Sequence, residues 1–187
     1  MPNYVSLAKA EDILRDTERI LVIGCSGGGK TTLSLSIAEA FDLEYQSIDR
    51  DVRWLPKWKV RDRDEQRSIL LGLVSQDRWV MDGSGASTFD IRVPRADLII
   101  WVRVSRMVAL FGVLRRVMRN YGKVRAAMAE GCPEPFPDRE FLSYIWNFER
   151  KSAPQFVAQI DRFGSSVPVV TLRSRGEFSQ LLSGRRS

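Results

Sequence analysis

The chain has 187 residues, 44% apolar and 28% charged, the profile of one globular domain that buries about 70% of its unfolded surface without a disulfide or metal staple. It has no histidine and two distant cysteines, Cys25 and Cys132, which excludes histidine-based acid–base, triad and zinc chemistry and reads as reduced thiols. No apolar run approaches the roughly 20 residues that span a bilayer and no signal-peptide pattern opens the chain, so a cytoplasmic location is expected, while the net charge of +6 favours anionic partners such as nucleotides, nucleic acid or a membrane surface.

Residues 5–16 have the pattern of a short leading helix. Residues 19–23 form a short apolar run ending at glycine, a buried strand. Next comes Gly24-Cys25-Ser26-Gly27-Gly28-Gly29-Lys30-Thr31, which fits G-x-x-x-x-G-K-[ST] at every position. Glycine fills about 7% of positions in proteins, so a chance match in such a chain is on the order of one in a hundred. The chemistry requires these residue types. Gly24, Gly27, Gly28 and Gly29 let the backbone turn tightly and, with Ser26, bring N–H groups within reach of phosphate oxygens. The helix opening at Lys30 adds its positive dipole end. The Lys30 ammonium reaches the β- and γ-phosphates, the Thr31 hydroxyl ligates Mg²⁺, and Thr32 reaches the α-phosphate. ATP and Mg²⁺ are therefore the expected cofactors. Cys25 lies within this loop as small filler rather than as a nucleophile.

Residues 30–41 carry Leu33, Leu35, Ile37, Ala38 and Phe41, compatible with a helix packed on a sheet. A second strand is expected over 44–48. Asp49 and Asp51 follow it on the ligand side, where one of them orients an acceptor or both are caps and loop charges. Trp54-Leu55-Pro56-Lys57-Trp58 cannot be regular helix, because Pro56 lacks a donor and restricts Leu55. Trp54 and Trp58 either line an acceptor pocket or anchor the loop. Asp62 with Glu65 reads as a reciprocal N-cap opening a helix to about Ser75. Residues 78–81 form a third strand stopped by Asp82-Gly83. Asp82 is then either a turn residue or the carboxylate that joins Thr31 in the metal site, since Mg²⁺ needs only one or two carboxylates. The strongest strand runs over 97–104. Its unbroken apolar run suits a parallel strand covered on both faces, and Asp97, at its start, falls at the opposite end from Asp82.

Ser105 caps a helix to about Asn120. From Leu98 to Ala129 there is no acidic residue but seven basic ones: Arg103, Arg106, Arg115, Arg116, Arg119, Lys123 and Arg125. These form either a solvated face or a phosphate-binding set. On a helix Arg115 and Arg119 share a face and Arg116 lies about 100° around. Residues 121–138, rich in glycine and proline, read as a loop or lid. Residues 141–163 read as helix with a kink or break near Pro154, residues 167–172 as the last strand, and residues 177–182 as the last helix. Strands alternating with helices imply a three-layer α/β P-loop fold with a parallel sheet, whose ligands sit at the carboxyl ends of the strands.

Beyond the phosphate loop, several elements carry a resemblance. They are Ile48-Asp49-Arg50-Asp51, the Trp54–Trp58 pentapeptide, Trp79-Val80-Met81-Asp82-Gly83, Arg92 with Arg95-Ala96-Asp97, Arg115-Arg116, and Glu130-Gly131-Cys132-Pro133-Glu134 followed by Phe141-Leu142 and Trp146. Over residues 19–175 the chain resembles the adenylate-kinase-like P-loop proteins of the DNA topology modulation (FlaR) type. The resemblance implies a nucleoside-monophosphate-kinase fold forming one kinase-like domain over 1–187. In it, residues 50–76 are the acceptor-binding segment and 119–138 the lid, and Arg115, Arg116 and Arg119 face the phosphates beside Lys30 and Asp82. The chain departs from the pattern at Ser84-Gly85, where adenylate kinases have Phe-Pro-Arg, and at Lys57, where the FlaR-type proteins usually have glycine. The expected activity is phosphoryl transfer from ATP to a small-molecule or nucleotide acceptor whose identity the sequence does not name. It would act through positioning and charge neutralisation. The alternative is a nucleotide-dependent regulator that binds DNA through the basic stretch and hydrolyses ATP slowly, although no helix-turn-helix, zinc finger or other known reader is evident.

Overall fold

The computed structural model describes residues 1–183. A two-residue edge strand, β1 (Asn3–Tyr4), precedes helix α1 (Leu7–Asp16), where the Ser6 hydroxyl caps the first turn by accepting from the Lys9 N–H. Strand β2 (Arg19–Gly24), helix α2 (Lys30–Phe41) and strand β3 (Glu44–Ser47) follow. A wide turn over Ile48–Arg53 leads into a small antiparallel hairpin of β4 (Trp54–Leu55) and β5 (Lys59–Val60). Then come α3 (Arg63–Val74), β6 (Trp79–Asp82), the short α4 (Phe89–Arg92), β7 (Leu98–Val102) and α5 (Arg106–Asn120). After an irregular segment, α6 (Arg139–Lys151), α7 (Ala153–Gly164), β8 (Pro168–Leu172) and α8 (Arg175–Ser183) complete the described chain.

Six strands form one parallel sheet in the order β1-β8-β7-β2-β6-β3. The continuous apolar runs of β2 and β7 pair at its centre, and Ile20 to Ile23 and Leu98 to Val102 have no exposed surface. Helices α1, α2 and α8 pack on one side of the sheet. On the other, Phe156 of α7 stacks on Trp101 of β7, with ring centroids 5.8 Å apart, and on Phe89 at 5.1 Å. The result is three layers with the core in both interlayers.

The expected elements are present, with differences that have local causes. Pro154 sits in the first turn of α7, so the helical stretch after residue 139 breaks into two helices. Asp62 caps α3 through the N–H groups of Asp64 and Glu65, but the Glu65 carboxylate pairs with the Arg61 guanidinium rather than completing the reciprocal bond. Residues 86–95, unassigned from sequence, wind through two 3₁₀ turns around α4. No helix among the described residues is long and apolar enough to cross a membrane.

Candidate functional site

Parallel pairing brings the carboxyl ends of β2, β6 and β3 to one edge, since Asp82 pairs with Val22 on one side and Ser47 on the other. The 24–31 loop, the 82–85 turn and the 48–53 turn therefore lie side by side. Asp97 sits at the opposite edge, where it accepts from the Arg19 backbone N–H at 3.0 Å and from the Arg19 guanidinium at 2.8 and 3.2 Å.

The phosphate loop is set by its own glycines and by α5. Gly27 has φ +79°, and its carbonyl lies so close to α5 that a Cβ on Gly112 would sit 2.1 Å from that oxygen. Only glycine at 112 allows the helix and the loop to meet backbone to backbone, a requirement carried by no local pattern. Helix α2 starts directly after Gly29, so the N–H groups of its first turn, over Lys30 to Thr32, have no intrahelical partner by geometry and are available to an anion. Lys30 Nζ lies across the loop, donating to the Cys25 carbonyl at 3.0 Å. Cys25 is buried, and burial pushes its thiol up to about 11, which suits a packing residue rather than a nucleophile.

At the end of the loop the Thr31 hydroxyl donates to Asp82 Oδ2 at 2.5 Å. Asp82 is 6% exposed, and its other oxygen, Oδ1, is buried without a partner. Burial raises the Asp82 pKa, opposed by the Lys30 charge and the Thr31 hydrogen bond. Nearby, the Tyr45 hydroxyl is also buried without a hydrogen-bond partner, and burial together with the Asp82 charge pushes it up to about 12. A buried carboxylate with a free lone-pair oxygen beside a hydroxyl fits a hard, oxygen-seeking cation such as Mg²⁺. Among the described residues no cluster of three or more His, Cys, Asp or Glu could hold a metal, so such an ion would take its remaining ligands from phosphate and water.

Two further residues, noted in the sequence only for the resemblance and its departure, fix this edge. Ser84 Oγ donates to the Gly24 carbonyl at 2.5 Å and accepts from the Gly24 N–H at 2.9 Å, tying the 82–85 turn to the start of the phosphate loop. Arg92 is fully buried and donates to the Gly83 and Gly85 carbonyls, each at 2.7 Å, and to the Thr88 hydroxyl at 3.0 Å. Burial pushes its guanidinium down to about 9, still charged at neutral pH. The Ser84-Gly85 departure thus exposes backbone carbonyls that an interior arginine gathers.

Asp49 and Asp51 separate clearly. The Asp51 carboxylate accepts from the Ser47 N–H at 2.7 Å and from Arg50 at 2.6 and 2.9 Å, so it closes the 48–53 turn. Asp49 is exposed, with its carboxylate not taken up by the turn, and its charge acts on Asp82, Arg116 and Tyr144.

Trp54 and Trp58 join two segments instead of lining open space. Their rings meet edge to face at 5.3 Å and pack on Met128, Ala129 and buried Cys132. Trp58 Nε1 donates to the Pro133 carbonyl at 3.2 Å, the Lys57 N–H to the Gly131 carbonyl at 2.9 Å, and Cys132 Sγ to the Leu55 carbonyl at 3.2 Å. The hairpin thereby docks on residues 128–133.

The basic stretch is not one surface. Arg103 pairs with Glu149, and Arg106 stacks on the Trp146 ring at 4.1 Å. Arg115, Arg119 and Lys123 are exposed. Arg116 instead turns toward the site, where its Nε donates to buried Glu134 at 2.7 Å, and Arg125 Nε joins the same carboxylate at 2.6 Å. The resemblance implies that Arg115 and Arg119 face the phosphates; α5 buries Ala109, Val113 and Val117, and in this rotation those two arginines are exposed. The Arg125 charge acts on Asp82.

No protein-family model matches the chain, and no curated protein matches it. Solved structures do. A shikimate kinase from Acinetobacter baumannii in complex with shikimate superposes with a TM-score of 0.58 at 16% identity, over 92% of this chain and 93% of that one. A shikimate kinase from Bacteroides thetaiotaomicron gives 0.51 at 20% identity, over 89% and 95%. A sugar kinase from a Janibacter species gives 0.50 at 14% identity, over 89% and 91%. The fold is therefore the nucleoside-monophosphate-kinase-like α/β fold of P-loop kinases.

Proposed function

We propose that the protein is an Mg²⁺-dependent P-loop phosphotransferase that moves the γ-phosphoryl group of ATP to a small-molecule or nucleotide acceptor. The observation that carries this reading is the pair at the end of the phosphate loop, Thr31 hydrogen-bonded to a buried Asp82 whose Oδ1 has no protein partner. Leaving such a group without a partner costs about 1–3 kcal/mol, which a bound cation would offset.

In this reading the loop N–H groups and Lys30 hold the β- and γ-phosphates, and Thr31 and Asp82 hold the metal. Bound Mg²⁺ supplies neutralisation of charge on the phosphoryl oxygens. Residues 50–76 and 119–138 serve as acceptor-binding segment and lid, within one domain, as the FlaR-type resemblance implies. Asp49 orients the acceptor hydroxyl and accepts its proton, while the hydroxyl oxygen bonds to the γ-phosphorus as the bond to the ADP bridging oxygen breaks. Arg116 and Arg125 face the charge that spreads over the transferring group.

The test is a screen of nucleotides, sugars and small hydroxy acids as acceptors, scoring ADP formed from ATP, with Lys30→Ala as the control. Acceptor-dependent ADP formation that Lys30→Ala abolishes is the expected result. Nucleotide turnover that is identical in Lys30→Ala sinks the assignment.

A further inference from the structure

Glu134 is an unusual carboxylate. Its side chain is 2% exposed. Both oxygens are spent, Oε1 on Arg116 Nε at 2.7 Å and Oε2 on Arg125 Nε at 2.6 Å. Its backbone is equally fixed, since its N–H donates to the Lys123 carbonyl at 2.9 Å and its carbonyl accepts from the Gly122 N–H at 3.1 Å. Each arginine is gripped by Nε alone. Among the described residues neither one's Nη groups make a hydrogen bond within the protein, and the two side chains are 25% and 19% exposed.

This arrangement is costly unless it serves a ligand. One buried negative charge faces two positive ones, and burying charges in unequal number is unfavourable. A planar guanidinium held at Nε leaves its Nη1/Nη2 end free, as a fork suited to phosphate oxygens. Two such forks, fixed by one carboxylate, form a preorganised anion clamp. Its location follows from its neighbours. The segment that carries Arg125 meets the sheet edge at Ala127, whose carbonyl accepts from the Ser47 hydroxyl at 3.1 Å beside Asp82, and the charges of Arg125 and Arg116 act on Asp82 and with Asp49, respectively. The clamp spans the space between metal carboxylate and acceptor carboxylate, where the terminal phosphoryl group lies if the proposed function is right.

We propose that Glu134 is a positioning residue, which holds Arg116 and Arg125 by their Nε atoms and aims their Nη groups at the terminal phosphate. The protein thereby distinguishes a nucleoside triphosphate from the diphosphate. This rests on the phosphotransferase reading. Glutamine at 134 keeps the shape, but its amide nitrogen cannot accept from one of the two Nε–H groups, so one guanidinium is released and repelled by the other. Aspartate keeps the charge one methylene short.

Isothermal titration with MgATP and MgADP tests this on the wild type, Glu134→Gln, Glu134→Asp, Arg125→Gln, the double variant Arg125→Gln/Glu134→Gln, and Lys30→Ala. The wild type should bind MgATP at least tenfold more tightly than MgADP. That ratio should fall to within threefold of unity in Glu134→Gln, recover in part in Glu134→Asp, and fall no further in the double variant than in Arg125→Gln alone. Should Glu134→Gln not fold, Arg125→Gln carries the test, because its ratio must collapse in the same way. A wild-type ratio in Glu134→Gln or Arg125→Gln, beside a Lys30→Ala variant that binds neither nucleotide, overturns the clamp and leaves the phosphotransferase reading standing. Wild-type protein that binds neither nucleotide, or Lys30→Ala binding both as wild type does, overturns both.

Discussion

Asp82→Asn should stabilise the ligand-free protein while impairing its response to MgATP. Asp82 Oδ2 keeps one bond, from Thr31, and Oδ1 has none although Asp82 is 6% exposed. Burial raises its pKa, so the folded protein retains the proton to higher pH than the unfolded chain. Between the ordinary carboxylate range and that raised value the folded state binds more protons, and stability falls as pH rises through the window. Asparagine keeps the shape and the Thr31 bond and removes the charge. An orphaned buried group costs about 1–3 kcal/mol, of which the amide still bears part, so a gain of about 1 kcal/mol is expected. In a domain of this size that is about 2–4 °C in melting midpoint, and the pH dependence across the window should flatten. Ligand response moves the other way. MgATP at a hundredfold excess over Kd stabilises by about 2.7 kcal/mol. A tenfold weaker Kd lowers that to about 1.4 kcal/mol, halving the thermal shift. Scanning fluorimetry with and without MgATP, from pH 5 to 9, reads both effects. A lowered ligand-free midpoint together with a full MgATP shift would refute the reasoning.

Lys57 has φ +64° and ψ +31°, a left-handed conformation that costs a residue with a Cβ about 1–2 kcal/mol; Lys57→Gly, net of glycine's extra unfolded-state entropy, should raise stability by about 0.5 kcal/mol, seen as a higher urea midpoint at unchanged slope. Gly112→Ala puts a Cβ 2.1 Å from the Gly27 carbonyl oxygen, whereas a Cβ on Gly72, inside α3, meets nothing within 4 Å. The first substitution should weaken MgATP binding at least tenfold and the second should stabilise the helix by about 0.5–1 kcal/mol; equal effects of the two on nucleotide titration and melting would refute the close loop–helix approach. Since Arg106, Arg115, Arg119 and Lys123 are the exposed cations of the α5 region, duplex DNA binding should be weak, with a salt slope no steeper than about −3.6 at roughly −0.9 per phosphate neutralised. Fluorescence anisotropy measures it, and tight binding near physiological salt that Arg115→Ala and Arg119→Ala abolish, with MgATP binding unchanged, would favour the DNA-binding regulator instead.

Much of the fold is legible along the chain because its determinants are local. The glycine-rich loop, the Lys30–Thr31 pair, the apolar runs of β2 and β7, and the caps at Ser6, Asp62 and Ser105 each involve residues a few positions apart. Strand polarity is equally local, so sequence alone puts Asp82 at the ligand edge and Asp97 at the other, as the Arg19–Asp97 pairing bears out. Periodicity shows that three arginines crowd the end of α5, but not which one turns inward. That depends on the face buried against α6 and the phosphate loop, and it selects Arg116 and leaves Arg115 and Arg119 in solvent. Arg125, Ser84 and Glu134 owe their positions to partners 9 to 60 residues away, and Gly112 to a helix–loop approach over 85 residues of chain. Asp49 and Asp51 differ only in whether a neighbouring N–H and guanidinium consume the carboxylate. Trp54 and Trp58 fit either pocket walls or loop anchors in sequence, and they pack between the hairpin and residues 128–133 because chain closure brings Cys132 against them. Such choices belong to tertiary structure, since the free energy of burying a face or satisfying a donor is decided by what lies opposite and not by what lies next along the chain.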